Sequence, residues 1–232
     1  MRAHRSVAPW LTLSSSQQEL LKWLAVFTMT LDHANRTLWP FQGWAFAVGR
    51  LAFPLFVFLL AYNLTVRRVR ARRYLLPLLE FGAVSQLPVM MVLGRDVLPL
   101  NILFTLLLGV AFTPIFTYIK RFMPTGWAVF NVVLVWGLLG LFVEYGPVGV
   151  LLIPAMQYLL ARPSFFSVAL VALLLPAANL FVPAALVPFA LPLLIWGVTR
   201  LRLAPLPRAR WVFYAFYPVH LVALWCLHIV LS

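Results

Sequence analysis

Apolar runs of about twenty residues, almost free of charge and separated by short arginine-bearing links, recur along this whole chain. Coiled as an α-helix, such a run is long enough to cross the roughly 30 Å hydrocarbon core of a bilayer. Inside lipid every backbone N–H and C=O must be paired within the protein, which leaves helix bundles or closed barrels. Barrel strands alternate in hydrophobicity over about ten residues, and these runs do not alternate. The predicted fold class is therefore all-α: a polytopic transmembrane helix bundle in one domain, residues 1–232. Residues 1–19 are expected to be a cytoplasmic or interfacial segment and 20–231 the bundle. With 64% hydrophobic residues and a mean hydropathy of +0.97, a soluble domain of this size would leave too much apolar surface against water.

The links divide the chain into about nine predicted spans, with eight to ten compatible with its proline-rich middle. They run Leu20 to Trp39, Trp44 to Leu64, Tyr74 to Leu93, Leu98 to Ile119, Trp127 to Val143, Pro147 to Ala161, Pro163 to Phe181, Pro183 to Thr199, and Trp211 to Leu231. The links alternate in charge. One set carries Arg2, Arg5 and Lys22, then Arg67, Arg68, Arg70, Arg72 and Arg73, then Lys120 and Arg121, then Arg162, then Arg200, Arg202, Arg208 and Arg210. The other carries only Arg36, Arg95 with Asp96, and Glu144. The positive-inside rule places the first set, and with it the amino terminus, in the cytoplasm. Trp39, Trp44, Trp127 and Trp211 fall at span ends, where interfacial rings belong. A short segment before the first span, Val7 to Leu13, is expected on the membrane surface, and no cleavable signal peptide is evident.

The formal charge of +13 would suggest nucleic acid in a soluble protein. Here the cations sit in links, where they set orientation and meet anionic headgroups, so the lipid bilayer is the expected partner and nucleic acid is not. The single cysteine, Cys226, excludes an internal disulfide and a cysteine metal site. No Gly-rich phosphate loop and no zinc-type His–carboxylate spacing is present, so no metal is expected.

Polar groups within spans are costly and mark function or helix contacts. The first span holds Asp32 and His33, the second Arg50, the third Glu80, Ser85 and Gln86, the fourth Asn101 and Thr105, and the ninth Tyr217 and His220. At about 1.5 Å per residue, His33, Arg50, Gln86 and His220 fall in one slab between the midplane and the outer third of the bilayer. Glu80 lies nearer the cytoplasmic surface. Asp32 and His33 are neighbours, so on a helix they point about 100° apart. Asp32 is expected to neutralise Arg50 across spans, leaving His33 free. Pro54, Pro77, Pro88, Pro99 and Pro218 are expected to kink their spans.

The blocks Asp32-His33, Gly49-Arg50-Leu51-Ala52-Phe53-Pro54-Leu55-Phe56, Ser85-Gln86-Leu87-Pro88, Asn101-Ile102-Leu103-Phe104-Thr105-Leu106 and Phe216-Tyr217-Pro218-Val219-His220-Leu221 together resemble the TraX family of membrane proteins. What the resemblance implies is an acyltransferase of the bacterial inner membrane, related to enzymes that move acyl groups from cytoplasmic acyl-CoA to acceptors at the outer side. The founding members are associated with amino-terminal acetylation of a conjugative pilin. On that reading acetyl-CoA or another acyl-CoA is the co-substrate, and the acceptor is a peptide amine, a lipid or a glycan. Acyl transfer needs a base, an oxyanion donor and exclusion of water. His33 is the first candidate base, with His220 second or helping, and Asp32 orients a partner or balances Arg50. Arg50, Gln86, Asn101, Thr105 and Tyr217 are candidates to hold the oxyanion or the acceptor. Arg67, Arg68, Arg70, Arg72 and Arg73, with Arg200, Arg202, Arg208 and Arg210, are candidates for the CoA phosphates. Topology and headgroup contact account for the same arginines equally well.

Two other readings use the same residues. A proton-coupled small-solute transporter would string Asp32, His33, Arg50 and Glu80 into a relay, although no internal repeat is evident. A non-enzymatic assembly subunit would need His33 and His220 only for packing.

Overall fold

A computed structural model describes residues 10–39, 41–179 and 184–231. The predicted features at Arg2, Arg5, Phe181, Pro183 and the start of the Val7 to Leu13 segment lie outside them. The described residues form helices α1 (Ser15–Thr37), α2 (Gly43–Gly49), α3 (Ala52–Thr65), α4 (Arg72–Leu93), α5 (Ile102–Ile119), α6 (Thr125–Gly140), α7 (Gly146–Ala161), α8 (Phe165–Ala177), α9 (Leu191–Arg200) and α10 (Arg210–Leu231), with a 3-10 turn at Val187–Ala190. Each predicted span corresponds to one of these helices, the second to α2 plus α3. The architecture is an all-helical bundle, compatible with a helical membrane protein. By length and composition, Gly43–Thr65, Arg72–Leu93, Ile102–Ile119 and Trp211–Leu231 can cross a bilayer. Four further apolar helices are shorter, and three of them, α7, α8 and α9, carry proline, which removes a helical N–H donor.

α3 is central. It packs on α1 and α7, while α5 packs on α4, α6 and α7, and α10 lies against α4 and α1. Phe53, Leu55, Val57, Phe58 and Tyr62 are enclosed, so α3 is apolar all round, as a helix surrounded by others must be. The outward faces of α6 and α8 carry Phe130, Leu134, Leu138, Phe166 and Leu173, all exposed. Such faces suit lipid. Trp39, Trp44, Trp127 and Trp211 are also exposed at helix ends.

The first helix departs from the sequence expectation. It starts at Ser15, within the segment expected to be cytoplasmic or interfacial, and buries Ser16, Gln17, Gln18 and Glu19. Ser14 caps it: the Gln17 N–H donates to Ser14 Oγ (3.1 Å) and the Ser14 N–H to Gln17 Oε1 (2.8 Å). Gln17 Nε2 then donates to the carbonyls of Thr199 and Leu201, and the Leu206 N–H to Ser16 Oγ. The polar turn thus satisfies the backbone of the non-helical stretch after α9, a use that hydropathy does not register. Within the Val7 to Leu13 segment, Leu13 is buried and its N–H donates to Tyr62 Oη at 2.8 Å.

The second span is broken. α2 ends at Gly49 and α3 begins at Ala52, with Arg50 and Leu51 between. Pro54 lacks the N–H that would take the Arg50 carbonyl, which explains the break at this place. Gly49 has a second role. A Cβ there would stand 2.5 Å from Asp32 Cβ, so only glycine lets α2 approach α1 this closely. Of the other prolines expected to kink spans, Pro77, Pro88 and Pro218 lie inside helices, whereas Pro99 lies in the link before α5.

Candidate active site

The Asp32–Arg50 ion pair expected from sequence is formed: Arg50 Nη2 donates to Asp32 Oδ2 at 2.5 Å, and both side chains are buried. Arg36 Nε, one turn along α1, stands 3.2 Å from the same oxygen. The Arg50 guanidinium also lies over the Phe46 ring, 4.5 Å from its centroid. The Gly49-Arg50 and Pro54 positions therefore work together: glycine permits contact, arginine makes it, and proline breaks the helix beside it.

His33 is not free, as the sequence reading had it. Its Nδ1 lies 2.8 Å from His220 Nε2, and His220 Nδ1 lies 2.8 Å from the Phe216 carbonyl. A carbonyl only accepts, so His220 Nδ1 carries the hydrogen. In a neutral ring Nε2 is then the acceptor, and His33 Nδ1 must donate to it. The chain of constraints ends at His33 Nε2, left with an unprotonated lone pair. The two rings are nearly parallel, at 11°, with centroids 5.1 Å apart, and Tyr217 lies 6.3 Å from His33 and 5.7 Å from His220, centroid to centroid.

His33 and Tyr217, but not His220, border a cavity of about 730 Å³ lined also by Asp32, Arg36, Arg50, Arg95, Glu144 and Tyr145 among others; we call it the histidine cavity. Its rim is tied together. Arg95 pairs with Glu144, and Leu100 bridges Val143 through bonds to Phe142 and Glu144. Tyr145 sits in the left-handed region at φ 61°, stacked 4.0 Å from Phe53. Burial pushes its hydroxyl above the ordinary tyrosine value, so it stays protonated at neutral pH. Charge counting placed Arg95 and Glu144 in two different links, and their opposite signs were the available signal that those links meet.

A second cavity of about 400 Å³ opens toward the amino-terminal end of α1, lined by Lys22, Arg67, Arg73 and Arg208 with Glu19, Phe56, Leu60, Leu103 and Phe213 among others; we call it the basic cavity. Arg68, Arg70 and Arg72 of the same basic link do not line it and are exposed. Arg208 is held by a 2.9 Å bond to Ser15 Oγ. Lys22, treated in the sequence as a topology signal, joins the wall instead.

Three expected positioning residues are used elsewhere. Gln86 Oε1 accepts from the Asn101 N–H and Nδ2 (2.9 Å each), and its Nε2 donates to the Val97 carbonyl. Asn101 Nδ2 also donates to the Gly82 carbonyl, and its Oδ1 caps α5 through the Leu103 N–H. Thr105 donates to the Glu144 carbonyl at 2.5 Å. Gln86 and Asn101 brace the link before α5 and Thr105 braces the link between α6 and α7; none of the three lines either cavity. Glu80 is exposed on α4, apart from Asp32, His33 and Arg50, so the four-residue proton relay is not assembled.

The family model described as "TraX protein" matches residues 17–228. Protein TraX of Escherichia coli (strain K12) is 46% identical over 55 residues, 24% of this chain and 22% of that protein. An uncharacterised protein of Rickettsia prowazekii (strain Madrid E) is 29% identical over 134 residues, 57% of this chain and 51% of that protein. The chain thus matches between about a fifth and a half of the length of these curated relatives. No solved structure matches.

Proposed function

This chain belongs to the TraX family, and from that premise we propose that it is an acyltransferase of the bacterial cytoplasmic membrane, taking its acyl group from acyl-CoA. The observation that carries the reading is the ordered pair of histidines, which presents His33 Nε2 as a base at the edge of a cavity. The acceptor, a peptide amine or a lipid or glycan hydroxyl, enters the histidine cavity. Its nitrogen or oxygen bonds to the acyl carbon as His33 Nε2 takes its proton. The carbon–sulfur bond breaks, and the CoA thiolate leaves and is protonated. His220 is a positioning residue: it accepts the His33 Nδ1 hydrogen, fixing the tautomer, much as a third group orients the base in other nucleophile–base pairs. Tyr217 supplies a hydroxyl beside both rings for the developing oxyanion. The Asp32–Arg50 pair fixes α1 against the helix break.

Acyl-CoA binds in the basic cavity, with Lys22, Arg67, Arg73 and Arg208 toward its phosphates. The link arginines then set the cytoplasmic side of this cavity by the positive-inside rule. Titrating the detergent-purified protein with acetyl-CoA in a calorimeter tests this. The expected result is saturable binding, weakened in a variant with Arg67, Arg73 and Arg208 changed to alanine. Absence of binding to well-folded protein would overturn the reading.

A further inference from the structure

Both cavities lie along one face of α1. Ser15, Gln18, Glu19, Lys22 and Met29 line the basic cavity, and Met29, Asp32, His33 and Arg36 line the histidine cavity. These positions recur at three- and four-residue spacing, the signature of one helix face. The cavities share three lining residues, Met29, Ile102 and Tyr217, from α1, α5 and α10. Met29 stands seven residues from both Lys22 and Arg36, so the shared wall is about 10 Å along α1 from each. Tyr217 is only 3% exposed and stands in the wall common to both cavities.

We infer that Met29, Ile102 and Tyr217 form a fixed septum near the bilayer midplane, at which the thioester carbonyl meets the Tyr217 hydroxyl, so that the acyl group alone passes from one compartment to the other. The transfer half of this statement rests on the acyltransferase reading, but the septum itself does not. Arg208, bound to Ser15, marks the mouth of the basic cavity. From Ser15 to Met29 α1 rises about 21 Å, the reach of an extended phosphopantetheine arm from phosphate to sulfur. CoA held at the mouth thus brings its thioester to the septum without entering the histidine cavity. The acceptor's N or O attacks from the far side, its proton goes to His33, and the free thiol of CoA remains on the cytoplasmic side. Neither substrate has to cross the membrane.

Single-cysteine labelling reads the septum directly. Cys226, the chain's one cysteine, is replaced by serine, and Asn63→Cys in the basic cavity or Val148→Cys in the histidine cavity is introduced. Membrane vesicles of either orientation are treated with a charged, membrane-impermeant methanethiosulfonate. The expected result is labelling of Asn63→Cys from the cytoplasmic face only and of Val148→Cys from the outer face only. Adding Met29→Ala with Tyr217→Ala should make Asn63→Cys reactive from the outer face too. Tyr217→Phe, which keeps the ring, should preserve one-sided labelling while abolishing acyl transfer. Two-sided labelling of either cysteine in the otherwise unchanged protein would overturn the septum and indicate alternating access. Acetyl-CoA calorimetry on the same preparations separates the two ideas: binding with two-sided labelling sinks the septum alone, and one-sided labelling without binding sinks the transferase alone.

Discussion

The two cavities are lined by opposite kinds of electrostatics. In the histidine cavity three arginines, Arg36, Arg50 and Arg95, meet two carboxylates, Asp32 and Glu144, and each carboxylate is engaged by at least one of them. In the basic cavity four cations meet a single carboxylate, Glu19, which is occupied by Lys22 at 2.6 Å. In the first cavity each carboxylate already has a guanidinium against it, so the polar wall is preorganised before any ligand arrives. The second presents more cations than carboxylates, and three of them, Arg67, Arg73 and Arg208, are exposed. On the proposed function, one end does proton chemistry at a fixed place and the other receives a polyanion.

The largest expected effect follows from the first half of that contrast. His33→Gln should cut acyl transfer, read as free thiol released from acetyl-CoA in acceptor-bearing membranes, by about 10²–10⁴-fold, the ordinary contribution of a general base. Acetyl-CoA affinity should not change, because His33 does not line the basic cavity. His220→Ala should lose less, since it removes the residue that fixes the tautomer and not the base. Equal loss of binding and turnover in His33→Gln would erase the division of labour between the cavities.

Next in size is the ion pairing itself. Arg50→Ala leaves Asp32 buried with only the longer Arg36 contact, so it should destabilise the protein by about 3 kcal/mol, the low end for breaking a buried pair. Thermal unfolding in detergent would measure it. Asp32→Ala added to Arg50→Ala should restore part of the loss; strict additivity would mean that the two charges are not coupled. Gly49→Ala follows at about 1–3 kcal/mol, because the new Cβ meets Asp32 Cβ and either the helices part or the ion pair shifts.

How much of this was legible in the sequence depended on whether one residue's address sufficed. Asp32–Arg50 was legible because a buried charge in lipid demands its opposite, and both residues sit at the same depth. The His33–His220 contact joins residues 187 positions apart, and depth alone cannot say whether two neutral imidazoles in one slab face each other. The tautomer chain needed the Phe216 carbonyl as well. Gln86, Asn101 and Thr105 were at a suitable depth but not in a suitable place. Amides and hydroxyls near a helix start satisfy backbone groups as readily as they meet a ligand; here the link before α5 takes Gln86 and Asn101, and the link between α6 and α7 takes Thr105. The nine-part organisation of the helices was readable from hydropathy, whereas the polar first turn of α1 was not, because Gln17 and Ser16 bond to the end of α9 and the stretch after it, and Gln18 to the Leu13 carbonyl.

The smallest expected effect tests the other half of the contrast. Arg68, Arg70 and Arg72 share a link with Arg67 and Arg73, and in the sequence all five are equivalent candidates for CoA. In the structure all five are exposed, but only Arg67 and Arg73 line the basic cavity, with Arg68 in the left-handed region at φ 51°. An exposed charge that makes no direct contact with a ligand acts on it only through salt-screened solvent. Changing Arg68, Arg70 and Arg72 together to alanine should therefore alter acetyl-CoA affinity by no more than about 0.5 kcal/mol, the usual range for surface substitutions. The Arg67, Arg73 and Arg208 variant should lose far more, since charge-assisted hydrogen bonds contribute about 1.5–3 kcal/mol each. Equal losses in the two variants would mean that the whole link attracts CoA as a diffuse field. The basic cavity would then be a mouth without a specific phosphate site, and the contrast between the two ends of the molecule would reduce to net charge.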